Sequence, residues 1–267
     1  MIIPSLTTHR VIRNSRRRQS RGNNIPSVLY QTGESKRITA PHFRRLKTFR
    51  NLNGDLDHLF FDANARRSYM EAYWTDRKIL DVYKNSLFGQ LQADIFRYCI
   101  VFDRGGYYCD LNKSLRAPFT SFHPAKAVGL ISFETNLATT HPSDRPPGGI
   151  LHPRHQILQW SFGFEPQHPI LAEIIEDIEK AHSNYAGRVF SSPKAAILSL
   201  SGPQAFTRAV WKVARGSGLA NITQVDFDFG LEPGTLRIAG SVEPGPRHYS
   251  AVANKPILSD TSTPSPL

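Results

Sequence analysis

The stretch Gln90-Leu-Gln-Ala-Asp94-Ile-Phe-Arg97-Tyr-Cys-Ile-Val-Phe-Asp-Arg-Gly105-Gly106-Tyr-Tyr108-Cys-Asp110-Leu-Asn112 decides the architecture. Residues 89–103 have helical spacing. Leu91, Ile95, Phe96, Cys99, Ile100 and Phe102 cover most of the circumference, whereas Gln90, Asp94 and Arg97 fall at i, i+4 and i+7 on one stripe. A helix this apolar is buried on most sides, so its polar stripe must be satisfied by partners or by a ligand in a cleft. Gly105-Gly106 stops the helix and lets the chain turn. Residues 107–111 then read as a strand that delivers Asp110 and Asn112 on one face near its carboxyl end, where open α/β sheets place their ligands.

Outward from this unit, residues 25–31 and 57–61 read as two earlier strands and residues 66–85 as another buried helix. Alternation of this kind predicts an α/β fold, a mixed and mainly parallel central sheet flanked by helices. Further on come an apolar run at 127–133 and a loop at 139–155, dense in Pro, Gly and His, of the length that forms lids or binding loops. Residues 160–164 read as a strand, and 169–182 as a helix with Ile170, Leu171, Ile174, Ile175 and Ile178 on one side. A second helix opens at Gly202-Pro203 and runs to about residue 215, with Pro at an early position. Residues 222–229 alternate as a strand. No internal repeat is visible. The domain is expected over 24–253, preceded by a basic leader at 1–23 and followed by a Ser-, Thr- and Pro-rich frayed tail at 254–267.

With 267 residues, 40% of them hydrophobic, the chain can bury a core, which excludes a disordered or fibrous protein. Lys and Arg number 33 against 22 Asp and Glu, for a formal charge of +11, which favours polyanionic partners. Much of the excess lies in Arg10, Arg13, Arg16, Arg17, Arg18 and Arg21, with no acid before Glu34. This leader reads as solvated chain, as an electrostatic anchor for peripheral contact with anionic membrane or nucleic acid, or as an organelle transit peptide. A basic nucleic-acid-binding protein is disfavoured as a whole, because the arginines are terminal and no aromatic-basic interleaving or zinc-finger spacing follows. The only cysteines, Cys99 and Cys109, sit in apolar stretches, which excludes a disulfide scaffold and a four-cysteine zinc site. No run reaches the roughly 18 apolar residues of a membrane span, and no secretory h-region opens the chain. A soluble, cytoplasmic protein is expected.

Asp110 at a strand end is a ligand for a hard divalent cation, Mn²⁺ or Mg²⁺, which completes its shell with water and phosphate oxygens. Taken singly, Asp94 with Arg97 also reads as an i, i+3 ion pair, and an Asp after a strand as a turn former. The joint spacing, a polar helical stripe followed by Gly-Gly, strand and acid, sets this stretch apart.

Ala93-Asp94-x-x-Arg97-Tyr98 followed by Gly105-Gly106-x-Tyr108-x-Asp110 resembles the core signature of glycosyltransferase family 32. That family of DXD-containing sugar transferases includes the yeast α-1,6-mannosyltransferases and bacterial polysaccharide enzymes. The clostridial glucosylating toxins share a related core. Ile25-Pro26-x-x-x-Tyr30-Gln31-Thr32 resembles its first strand, usually Ile-Pro-x-x-x-His-Gln-x-Trp, and His168-Pro169 and Ser201-Gly202-Pro203 resemble later landmarks. The likeness runs from about Asn24 to His248 and is most specific over 93–110.

The resemblance implies a GT-A-like nucleotide-sugar-binding fold and metal-assisted, retaining transfer of a hexose from a UDP- or GDP-sugar to a glycan, glycolipid or protein acceptor. It places Tyr30 and Gln31 beside the nucleotide, Asp94 and Arg97 against the donor sugar and diphosphate, and Tyr108 near the donor. Asp110 would serve the metal. His248 is either a match to a family histidine near the metal or diphosphate, or a surface histidine. Two departures stand out: the family's Asp-x-Asp is Asp110-Leu111-Asn112 here, and the first-strand His and Trp are Tyr30 and Gly33. Asn112 keeps a carbonyl oxygen but removes a charge, which lowers cation affinity. A catalytically inert sugar-nucleotide or partner-binding module therefore stands beside the enzyme. In the enzyme, Arg97 and Lys113 would help the metal stabilise the leaving diphosphate. No carboxylate is identifiable as a covalent nucleophile, so same-face attack stands beside a covalent route.

Overall fold

The computed structural model describes residues 8–10, 22–113, 115–138, 145–230 and 252–260. Its strands are β1 (Thr8–Arg10), β2 (Val28–Thr32), β3 (Arg37–Thr39), β4 (Asp57–Phe61), β5 (Gly106–Cys109) and β6 (Gly129–Ile131). There follow β7 (Phe133–Leu137), β8 (His155–Ile157), β9 (Ser161–Phe164), β10 (Val189–Phe190), β11 (Ile222–Gln224) and β12 (Lys255–Pro256). The helices are α1 (Ala40–Leu52), α2 (Ala63–Tyr73), α3 (Lys78–Asn85), α4 (Gly89–Arg104), α5 (Pro169–Tyr185), α6 (Pro193–Leu200) and α7 (Pro203–Ser217).

A six-stranded sheet in the order β11-β6-β9-β5-β2-β4 forms the centre. β11 pairs with β6, and β2 with both β4 and β5, in parallel; β9 alone runs the other way, between β5 and β6. This is the mixed, mainly parallel α/β sheet that the alternating pattern predicts. Its five like-directed strands end on one edge, the rim where open α/β sheets place their ligands.

The Gly105-Gly106 turn places α4 against that rim. The helix closes with the Gly105 amide bonded to the Val101 carbonyl at 2.8 Å, and the two glycines have φ of +63° and +109°. A Cβ on Gly106 would lie 2.7 Å from the Val28 carbonyl oxygen, so only glycine lets the strand leave the helix this closely beside β2. The chain reverses there, and the first turns of α4 lie at the carboxyl end of β5.

Side chains alternate across the sheet. Tyr30, Tyr108, Phe162 and Phe164 pack with Ile95 and Cys99 of α4, Ile174 and Ile178 of α5, and Phe206 and Trp211 of α7. Leu29, Tyr107, Cys109 and Leu130 face the other way, onto Phe49 of α1, Phe119 and Phe229. Both cysteines are buried free thiols.

Several elements differ from the sequence expectation, each for a local reason. The helix expected over 66–85 is two. Asp62 caps α2 by accepting from the Ala65 amide at 2.9 Å, and α3 starts afresh where Glu179 of α5 accepts from the Ile79 amide at 2.9 Å. The strand expected over 222–229 stops after Gln224, because Asp228 and Phe229 turn into left-handed backbone. Helices α1 and α6 have no counterpart in the sequence reading; α1 is rich in Arg and Lys, and its few apolar positions give a weak periodic signal. Within the stretch read as a leader, Thr8–Arg10 pairs antiparallel with β3. Where a frayed tail was expected, β12 pairs with β10 and the next residues, Ile257 and Leu258, are fully buried. Among the described residues, no helix is long and apolar enough to cross a membrane.

Candidate functional site

Arg97 is the centre of the site. One guanidinium nitrogen, Nη2, lies 2.8 Å from Asp94 Oδ1 and 3.2 Å from Asp110 Oδ1. The other, Nη1, donates to the Gln159 carbonyl at 3.0 Å and to the Gln159 side-chain oxygen. The guanidinium also stacks over the Tyr108 ring, 4.6 Å from its centroid, and the Tyr108 hydroxyl donates to Asp110 Oδ1 at 2.8 Å.

Asp94 is held as fully. Gln159 Nε2 donates to its Oδ1 at 3.1 Å and the Ser201 hydroxyl to its Oδ2 at 2.8 Å. Tyr98 of the same helix donates to the Ser201 carbonyl at 2.7 Å. Burial pushes the Asp94 carboxyl up, against the pull of Arg97, Ser201 and Gln159. Burial also disfavours the charged guanidinium, but Asp110, Tyr108 and Asp94 outweigh it and hold Arg97 above its ordinary value. Arg97 is therefore a permanent cation.

The polar stripe of α4 grades from solvent to core: Gln90 is exposed, whereas Asp94 and Arg97 are buried. Asp110 is the first residue past β5. Its amide donates to the Trp160 carbonyl at 2.8 Å, and its side chain is 28% exposed, so it is the carboxylate of the cluster that reaches solvent. Asn112 lies in the turn beyond the strand rather than on it, closed by a 3.0 Å bond from the Lys113 amide to the Asp110 carbonyl. The Lys113 ammonium rests over the Trp160 ring, 4.6 Å from its centroid.

Asp94, Arg97, Tyr108 and Asp110 thus come together as one hydrogen-bonded unit. Tyr30 is paired with Tyr108 in β2–β5 register and buried on the same face, its hydroxyl pushed up by burial. Gln31 points to the opposite face by strand alternation. It is 1% exposed, and both atoms of its carboxamide are unpartnered at the carboxyl end of β2. His248 lies outside the described residues. Gln159 and Ser201 were missed as members of the cluster: Ser201 belonged to a noted landmark with no role attached, and nothing in the sequence near Gln159 marks it.

Among the described residues no group of three or more His, Cys, Asp or Glu converges as a cation cage. Asp110 offers one partly exposed carboxylate and Asn112 follows in the turn beyond it; a hard cation held there would take most of its ligands from phosphate and water.

The chain is 22% identical over 191 residues, 70% of its length, to the initiation-specific alpha-1,6-mannosyltransferase of Schizosaccharomyces pombe. It spans about half, 48%, of that curated relative. No family model matches the chain. Among solved structures it is similar to the PaToxG glycosyltransferase, with a TM-score of 0.47 and 14% identity over 72% of this chain and 71% of that one.

The rim continues past this cluster. The Ser132 hydroxyl, just beyond β6, donates to the Asp226 carbonyl at 2.6 Å, and the Ser132 carbonyl accepts from the Leu158 amide at 2.9 Å. The described part of the loop between β7 and β8, read from sequence as a lid or binding loop, is fastened there. Gln224 bonds Gly149 and Leu151, and His152 lies 2.7 Å from Asp226.

Proposed function

We propose that this chain is a glycosyltransferase that moves a hexose from a nucleotide-diphosphate sugar to a glycan, glycolipid or protein acceptor, on a GT-A-like fold. The observation that carries the reading is Arg97, buried as a fixed cation between Asp94 and Asp110 at the carboxyl rim of the sheet, with only Asp110 reaching solvent. Likeness to an alpha-1,6-mannosyltransferase favours a mannosyl donor, with UDP and GDP both open as the nucleotide.

Each residue has a task in this reading. Asp94, held by Ser201 and Gln159, accepts from a donor sugar hydroxyl; its geometry is set before the substrate arrives. Arg97 presents positive charge toward the leaving diphosphate, and because it is already desolvated and oriented it needs no reorganisation as that charge develops. Asp110, with Asn112, would hold a Mn²⁺ or Mg²⁺ jointly with diphosphate oxygens; a bound cation there supplies neutralisation of the departing nucleoside diphosphate. Tyr108 locks Asp110 from below. Retention by same-face attack is part of the proposal, since the cluster offers no unpaired carboxylate as a covalent nucleophile: Asp94 is buried on Arg97, Gln159 and Ser201, with one acceptor position of Oδ2 left for a sugar hydroxyl, and Asp110 is paired with Arg97 and Tyr108.

The test is a panel of UDP- and GDP-hexoses with and without Mn²⁺, read by donor hydrolysis and thermal shift. A donor at about 100 times its dissociation constant should stabilise the protein by about 2.7 kcal/mol. Donor hydrolysis that depends on Asp110 supports the transferase. Stabilisation without any turnover would assign an inert sugar-nucleotide-binding module, the reading that Asn112 favours.

A further inference from the structure

The sheet rim carries a second cluster that the donor chemistry does not use. His152 and Phe227 stack with ring centroids 4.0 Å apart and 25° between planes, and His155 meets Phe227 edge-on at 4.8 Å. Asp226 closes the group. Its Oδ1 takes both the His152 Nε2 contact at 2.7 Å and the Phe227 amide at 2.7 Å, while the side chain is 65% exposed. Both bonds fall on one oxygen, so Oδ2 keeps its lone pairs for a ligand, and the Phe227 amide and His152 hold the carboxyl below its ordinary range, fully anionic. His152, His155 and Phe227 are partly exposed.

The backbone beneath is strained to hold this arrangement. Asp228 and Phe229 are consecutive non-glycine residues in left-handed conformation, at φ 46°, ψ 39° and φ 60°, ψ 40°. Phe229 is buried against Phe119 and Phe122, and its amide donates to the Ser132 hydroxyl oxygen at 2.8 Å. Such strain persists only where surrounding contacts over-determine it, and it clusters at ligand sites.

The cluster is also connected to the first one. Ser132 bonds Asp226 on one side and Leu158 on the other, and the next residue, Gln159, grips Arg97 and Asp94. β5 and β11 are three strand spacings apart, roughly 14 Å, a distance that the donor at the Asp94–Asp110 cluster and an acceptor sugar at Asp226 would span together.

We propose that His152, His155, Asp226 and Phe227 form a saccharide-binding subsite that takes the neutral sugar of the acceptor. An aromatic patch receives the C–H face of a pyranose, and a carboxylate with an imidazole at its edge takes adjacent hydroxyls, the mostly apolar lining with a few placed polar groups that small-ligand sites use. Its role as acceptor site rests on the transferase reading; its binding of saccharide does not.

The experiment is an NMR titration of the full chain with methyl α-mannoside, methyl α-glucoside and 1,6-linked mannobiose, following the His152 imidazole resonances, beside the donor-hydrolysis assay. At least one glycoside should shift His152 with saturable binding. Phe227→Ala should weaken that binding at least tenfold and Asp226→Asn at least fivefold, with donor affinity unchanged. Asp226→Asn keeps shape and size, so it reports even if Phe227→Ala fails to fold. Nucleotide-sugar hydrolysis with no glycoside response overturns the subsite and leaves the transferase. Glycoside binding without hydrolysis leaves the subsite and overturns the transferase. Glycoside binding that both variants retain overturns the assignment to these residues.

Discussion

Arg97 is tied to two carboxylates and a carboxamide in the interior, and removing it strands Asp94 as a buried charge without its cation. Arg97→Ala should therefore cost about 3–5 kcal/mol of stability, measured by denaturant unfolding, besides abolishing donor turnover. Asp110→Ala should behave differently. Asp110 is partly exposed and Arg97 keeps Asp94 and Gln159, so the fold should survive while metal-dependent donor hydrolysis falls at least 100-fold; wild-type turnover in the folded variant would remove Asp110 from the site. Ser201→Ala tests the support beneath Asp94. Losing a hydrogen bond to a buried carboxylate should cost about 1.5–3 kcal/mol and weaken donor binding, because Asp94 Oδ2 then loses its one fixed donor while Arg97 and Gln159 still hold Oδ1.

At the scale of elements, the turn from α4 into β5 depends on two glycines. Gly106→Ala forces a side chain to φ near +109° and a Cβ to within 2.7 Å of the Val28 carbonyl oxygen. The conformation alone should cost about 1–3 kcal/mol, and the clash adds to it, so thermal unfolding should fall by many degrees with donor affinity reduced in parallel. The start of α5 carries a pH dependence. His168 caps the helix by accepting from the Ile170 amide through Nδ1, and burial lowers its pKa from 6.5 to about 4. The unfolded chain then binds the proton more readily than the folded one. Stability is complete above pH 6.5, declines as pH falls toward 4, and by then has lost about 3 kcal/mol from this group. His42 and His182 are lowered by burial in the same direction. His168→Asn, a capping residue that does not titrate, should flatten part of that acid limb in urea unfolding between pH 4 and 7. An unchanged limb would place the acid sensitivity in other groups.

For the molecule as a whole, residues 252–260 return to the core as a strap. The Leu87 amide bonds the Ile257 carbonyl at 3.0 Å and the Ser259 amide the Asn85 carbonyl at 2.9 Å, while Ile257 and Leu258 are buried completely. The strap thereby ties the end of α3 to β10. Leu258→Ala should destabilise by about 2–5 kcal/mol, the range for an emptied leucine site, whereas a frayed tail would tolerate the change.

The local pattern of residues 89–112 determined the helix, the glycine break, the strand and the convergence of Asp94, Arg97, Tyr108 and Asp110, because all four sit on one helix-turn-strand unit whose geometry follows from short-range periodicity. The alternation of apolar runs likewise determined a mixed, mainly parallel sheet. Gln159 and Ser201 lie 62 and 107 residues from the side chains they hold, and no local period encodes a contact across that distance. The break between α2 and α3 needed Glu179, the buried strap needed β10, and the left-handed turn after β11 needed the packing of Phe229 and the bond its amide donates to Ser132. In each case a partner remote in the chain overrides the local preference, and such partners exist only once the sheet has brought them to one edge.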